Sequence, residues 1–235
     1  MLFRSRVGSS LPTLRRFVCG GASVPADLVR RGLAQFPHAV VSRAYGSSEV
    51  PLICPGLRTR AEAEAHPDTD GEIRCMLRLI EGEIAAQAPQ MLAGYLDPAD
   101  DPAAFTPDGY FLTGDLGVQV EERFLVITGR KKDIIIRKGE NIAPLEIESA
   151  LTRHPAVAAC AVVGRPDPER GEMVVAFVVP APGARFDLAA MRAHLEAEGL
   201  ARQKFPEDLR LIEALPMNAI GKVQKPDLRR IAAGR

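Results

Sequence analysis

Short apolar runs broken by turn residues fill the chain, and the period of those runs changes along it. LRRFVCGGAS reads as an apolar strand running into two glycines. Pro25 then opens an amphipathic helix to about Phe36, since proline's missing N–H costs nothing in a first helical turn. AVVSRAYGSSE follows as a β-rich run that ends in a Gly/Ser turn. Strand, helix, strand is one unit of a parallel sheet. The pattern contains no further strands for that sheet, so the chain is expected to begin inside a domain.

From about Pro51 to Gly129, runs such as GEIRCML, GEIAAQA, YFLTGDLGVQV and FLVITG alternate with Pro/Gly/Asp turns, notably Asp97-Pro98 and Asp108-Gly109. That spacing predicts an antiparallel sheet or a small barrel. RTRAEAEAHPDTD is polar throughout and reads as a surface loop. After Arg130 the order is strand IIIR, a helix from Pro144 to about Arg153 with Ile147, Ala150 and Leu151 on one stripe, and strands VAACAVVG and MVVAFVV. A helix LAAMRAHLEAEG closing at Gly199, a strand DLRLIEAL and a last helix near PDLRRIAA complete the chain. The fold class is therefore α/β followed by α+β: residues 1–131 form part of a core with a partial parallel sheet and a small barrel, and residues 132–235 a compact α+β domain.

Composition narrows the partners. Of 235 residues, 46% are hydrophobic and 26% charged, the balance of a soluble globular chain. Lys plus Arg and Asp plus Glu both number 30, so no global field draws nucleic acid or an anionic membrane. No apolar run approaches the roughly 20 residues that span a bilayer, and MLFRSRVGSSLPTLRRF lacks the apolar segment of a secretory signal. A cytoplasmic protein is expected. Cys19, Cys54, Cys75 and Cys160 show no CxxC spacing, and the four histidines no metal-ligand spacing.

The chain writes 24 cations as Arg and only six as Lys, at Lys131, Lys132, Lys138, Lys204, Lys222 and Lys225. Five of these fall in two short segments, GRKKDIIIRKGENI and NAIGKVQK. A compact rotatable ammonium differs from a guanidinium fork, so the clustering marks these segments for chemistry or, equally, for solvation. YGSSE, Tyr45 to Glu49, offers a ring, a tight turn, two hydroxyls and a carboxylate, a set that can stack on a base and hold a hard cation, or simply make a polar turn. In TGD, Thr113 to Asp115, the carboxylate can accept two ribose hydroxyls or stabilise a turn. Arg130 in GRKKD can reach phosphate or belong to a linker, and Gly139 in RKGENI can admit a ligand or make a hairpin. NAIGKVQK is no P-loop, and neither GxGxxG nor GxSxG occurs.

Taken in order, GGAS, YGSSE, GEI with GY, YFLTGDLG, GRKKDIIIRKGENIAPLEIE and LPMNAIGKVQK resemble the motifs of the adenylate-forming superfamily, over almost the whole chain. The details are most similar to bacterial CoA ligases for medium-chain, alicyclic or aryl acids. The resemblance implies an ATP-dependent acid–thiol ligase that makes acyl-AMP and passes the acyl group to CoA, with ATP/AMP, Mg²⁺ and CoA as cofactors and a carboxylic acid as substrate. It implies that Gly20, Gly21 and Ala22 line the acyl and adenine pocket, Tyr45 stacks on adenine beside Gly46 and Ser47, Ser48 binds phosphate, and Glu49 ligates the metal. Asp115 holds the ribose with help from Arg130, Lys132 is the hinge, Lys138, Gly139 and Glu140 shape the CoA channel, and Lys222 is the catalytic lysine.

Three positions depart from the family's pattern: Ser48 stands for Thr, Ile220 for Ser or Thr before GK, and AQAP for an arginine-glycine pair. No Ser/Thr/Gly-rich loop of the type SGTTGxPKG occurs in the 235 residues. The chain is therefore expected to be the carboxyl-terminal half of such a ligase, truncated or paired with a separate amino-terminal half, and not to complete the reaction alone. Two other readings stand beside it: a non-catalytic nucleotide or acyl-adenylate binding module, and an adenylation domain serving a carrier protein.

Overall fold

The structure, a computed structural model, describes residues 11–21, 24–219 and 221–234. The chain divides into two compact units, Met1–Thr113 with Gly117–Ile127, and Gly114–Leu116 with Thr128–Arg235. In this grouping the second unit begins at Thr128 and also takes the middle of the TGDLG run.

In the first unit, β1 (Arg16–Cys19) and β2 (Val40–Arg43) are parallel neighbours, paired from Arg16↔Val40 to Cys19↔Arg43. The helix between them, α1 (Ala26–Gln35), buries Val29 and Leu33, four apart on one face, with Val41 and Leu57. The polar stretch read as a surface loop contains instead a helix, α2 (Arg60–Ala65). Thr59 starts it with a capping box: its hydroxyl accepts from the Glu62 N–H, and the Glu62 carboxylate accepts from the Thr59 N–H. Ala63 is fully buried in the same cluster as Val29, which gives the helix a reason to form that charge-rich neighbours conceal.

Four strands follow: β3 (Met76–Ile80), β4 (Glu83–Gln87), β5 (Phe111–Val120) and β6 (Phe124–Arg130). They form a sheet in that order, and β3–β4 is an antiparallel hairpin. Among the described residues the sheet stays open, the antiparallel-sheet alternative of the two that the strand spacing allowed, with no barrel closure. Its apolar face, Ile84, Ala86, Phe111 and Leu125, packs with Val50, Ile53 and Cys54. Between β4 and β5, Asp97 caps a short 3-10 turn that leads into α3 (Asp101–Ala104), where the sequence read only a turn.

The second unit is built on β7 (Ile135–Arg137), β8 (Glu140–Ile142), β9 (Val157–Asp167), β10 (Gly171–Pro180) and β11 (Asp208–Leu211). The order is β11-β10-β7-β8, with β9 also paired to β10. Val174, Ala176 and Val178 of β10 bury one face against α4 (Pro144–Leu151) and α5 (Leu188–Ala197), while Val175 and Phe177 bury the other against α6 (Lys225–Ala232). Both faces are covered, which explains why MVVAFVV is a continuous apolar run rather than an alternating one.

Candidate active site

In the first unit, the GG turn and the YGSSE turn leave the carboxyl ends of adjacent parallel strands. Ala44 N–H donates to the Cys19 carbonyl at 2.8 Å, so the strands still pair where the turns begin. A side chain at Gly20 would put its Cβ 2.6 Å from the Ala44 carbonyl oxygen, and one at Gly46 would meet the Leu52 nitrogen at 2.6 Å. Both turns are packed too closely for anything but glycine. Ligands of open parallel sheets collect at this end, outside the strand termini.

Tyr45 exchanges both backbone hydrogen bonds with Cys54, at 2.8 and 2.9 Å, and packs against the Ile84 cluster. The Ser47 hydroxyl accepts from Val50 N–H at 3.1 Å and so closes the turn itself. Ser48 is exposed and Glu49 half-buried. Glu49 is clamped by the segment after β4: its carbonyl accepts from Leu92 N–H at 2.6 Å and its carboxylate Oε1 from the Tyr95 hydroxyl at 3.4 Å. It makes no ion pair among the described residues. Ala22 lies outside the described residues.

In the second unit, Asp115 is 7% exposed and accepts from Arg130 Nε at 2.6 Å. Antiparallel neighbours bring together two residues that the sequence treated separately. Lys131–Asp133 make a 3-10 turn that leaves Lys132 exposed and ties Asp133 to Arg229 of α6 at 2.7 Å. Lys138 and Gly139 are the two turn residues of the β7–β8 hairpin, with φ of 51° and 81°. That is the hairpin alternative, and it exposes Lys138, Gly139 and Glu140 at a turn tip.

Lys222 sits in a locked loop. The Asn218 side chain accepts from Lys222 N–H at 2.8 Å, Asn218 N–H donates to the Lys222 carbonyl at 2.9 Å, and Met217 bridges Val223. The Lys222 side chain is exposed, and its ammonium has no partner among the described residues. Lys225, three residues on, pairs with Glu148 at 2.8 Å, and Lys204 pairs with Glu146. The lysines of the two marked segments therefore do different work.

Tyr95, Asn218, Asp133 and Arg229 were not among the candidate residues. Asn218 could have been found from its place four residues before Lys222. Tyr95 stands in the GY pair of the quoted motifs, but its contact with Glu49, 46 residues away, could not be read there, and neither could that of Arg229 with a partner 96 residues away. An open depression of about 480 Å³ lined by Met91, Leu92, Ala93, Asp101, Phe105 and Gly109 contains none of the nominated residues. Among the described residues no group of three or more His, Cys, Asp or Glu could hold a metal. A cation at Glu49 would then be shared with ligand oxygens, as magnesium commonly is. A half-buried carboxylate without a cationic partner fits that donor set.

Comparison with known proteins accords with this geometry. Residues 146–222 match the family of the AMP-binding enzyme C-terminal domain. Indoleacetate–CoA ligase of Aromatoleum aromaticum is 36% identical over 99% of this chain and 48% of its own length. ATP-bound MatB from Rhodopseudomonas palustris superimposes with a TM-score of 0.82 and 32% identity, over 92% of this chain and 45% of that one. The o-succinylbenzoate CoA synthetase of Bacillus subtilis, solved with an acyl-adenylate intermediate, gives 0.80 and 28% over 92% and 46%. The chain belongs to the adenylate-forming enzymes and corresponds to their carboxyl-terminal half. It spans about half the length of the curated relatives it matches.

Proposed function

We propose that the chain supplies the nucleotide-facing turns and the catalytic lysine of an AMP-forming acid–CoA ligase. The observation that carries this reading is Lys222: an exposed ammonium with no partner among the described residues, on a loop whose backbone is locked by Asn218, at the end of the matched family segment. A cation held without an internal anion suits an external one.

In the reaction, a substrate carboxylate oxygen attacks the α-phosphorus of ATP, the bond to the β-phosphate oxygen breaks, and acyl-AMP and pyrophosphate result. The CoA thiolate then attacks the acyl carbon and AMP leaves. Lys222 binds the carboxylate and the α-phosphate and stabilises the charge that grows on them. Tyr45 stacks on adenine, with Gly20, Gly21, Ala22, Gly46 and Ser47 beside it. Ser48 donates to phosphate. Asp115, oriented by Arg130, accepts the ribose hydroxyls. Glu49 would hold a divalent cation, which would neutralise phosphate charge. Residues 1–131 act as the nucleotide-binding part and 132–235 as the mobile part, turning about Lys132 so that Lys138, Gly139 and Glu140 face the thiol. A cytoplasmic location, where ATP and CoA are supplied, belongs to the same proposal.

The 235 residues contain no glycine-rich phosphate loop, so we propose that they complete the reaction only with a polypeptide that supplies one. The same absence favours a second reading, a nucleotide or acyl-adenylate binding module. The test is the reaction split in two. With a loop-bearing polypeptide added, Lys222→Ala lowers adenylation by about 10² to 10³, the loss of one preorganised donor, and spares thioester formation from supplied acyl-AMP. Equal loss in both halves removes Lys222 from its role. Binding of an acyl-adenylate with no turnover under any supplementation selects the second reading.

A further inference from the structure

Glu49 does not hold its own position. Its carbonyl accepts from Leu92 N–H at 2.6 Å, and its carboxylate Oε1 makes a long contact with the Tyr95 hydroxyl at 3.4 Å. Tyr95 is itself fixed, because its N–H donates to Asp101 Oδ1 at 2.8 Å, at the start of α3. The neighbouring Gly94 leaves room for that carboxylate: a Cβ there would come within 3.0 Å of Asp101 Oδ2. Asp101, Tyr95 and Glu49 thus form a chain of contacts from α3 through the segment after β4 to the YGSSE turn.

We propose that Tyr95 is a positioning residue for Glu49 and that Asp101 anchors it, so that the Glu49 carboxylate is aimed before any cation arrives. The inference rests on the metal-side role given to Glu49 above. A carboxylate held by one O–H donor keeps its second oxygen turned in a defined direction, and it forgoes the rotamer search that an unclamped glutamate makes on each binding event.

The probe is Mn²⁺ with ATP, read by the electron spin resonance signal of unbound Mn²⁺, on the full chain and its variants. Tyr95→Phe keeps the ring and removes only the O–H. It is expected to weaken Mn²⁺ retention in the presence of ATP about tenfold, the usual cost of losing an outer hydrogen bond to a ligand, and to leave ATP affinity in EDTA unchanged. Asp101→Ala should behave like Tyr95→Phe. Asp101→Asn, which retains an oxygen to accept from Tyr95 N–H, should behave like the parent. In urea unfolding, Tyr95→Phe combined with Glu49→Ala should cost less than the sum of the two alone, because each removes the same shared contact. Parent-like Mn²⁺ retention in Tyr95→Phe, an equal loss with and without metal, or strict additivity overturns the positioning role. If the parent's ATP binding ignores Mn²⁺ while the unfolding cycle is non-additive, the clamp stands and the metal-side reading of Glu49 falls.

Discussion

Lys222 and Lys225 lie three residues apart and should respond oppositely to mutation. Lys225 Nζ is 2.8 Å from Glu148 Oε1, with side chains only 18% and 15% exposed, and the same oxygen accepts from Val162 N–H at 2.7 Å. Lys225 is also the first residue of α6, where a cation opposes the helix dipole, so its ammonium depends on Glu148. Breaking a fully buried pair from one side costs about 3–5 kcal/mol. The residual exposure here brings Lys225→Met to about 2 kcal/mol, and Glu148→Ala, which also orphans Val162 N–H, to about 3 kcal/mol. Lys222→Ala removes an exposed side chain without partners and should stay within about 0.5 kcal/mol. Urea unfolding of the full chain measures all three. With a slope of about 2 kcal/mol per molar, the Lys225→Met midpoint falls by about 1 M while that of Lys222→Ala hardly moves. A Lys222→Ala midpoint as low as that of Lys225→Met would refute the reasoning, since the ammonium would then have a structural partner.

Other consequences are equally open to measurement. Lys138 occupies a left-handed turn position at φ 51°, so Lys138→Gly should raise stability by about 0.5–1 kcal/mol and Gly139→Ala, at φ 81°, should lower it by about 1; equilibrium unfolding would show the wrong sign if the turn were otherwise. Thr59→Ala removes half of the capping box and should cost about 1 kcal/mol, with loss of protection in amide exchange confined to α2 and its neighbours. Burial and the neighbouring His194 hold the His154 imidazole below its ordinary value, so the folded state binds fewer protons than the unfolded one. The stability this contributes is full above about pH 6.5 and drains away as pH falls through the lower folded value; a titration of unfolding midpoint that is flat from pH 7 to 5 in the parent, and matches His154→Gln, would contradict it. Burial pushes the Cys54 and Cys160 thiols far up, so both should resist alkylation in the native chain at pH 8 and react on unfolding.

What the sequence by itself determined follows from local rules. Apolar period, proline at the helix start and glycine at the end located α1, α4, α5 and the β9–β10 pair, and the order of short motifs carried the family. Charge-rich RTRAEAEA hid α2, because its reason to fold is one buried alanine and a cap that only the neighbouring cluster makes worthwhile. The choice between an open sheet and a barrel was equally beyond reach, since strand spacing says where strands lie but not whether the last one returns to the first. Tertiary structure alone decided which charged groups are paired. It joined Asp115 to Arg130, Lys225 to Glu148 and Tyr95 to Glu49, and left Lys222 without a partner among the described residues. A side chain's chemistry depends on the charge within a few ångströms of it, and that distance is set by strand register and helix packing across tens of residues.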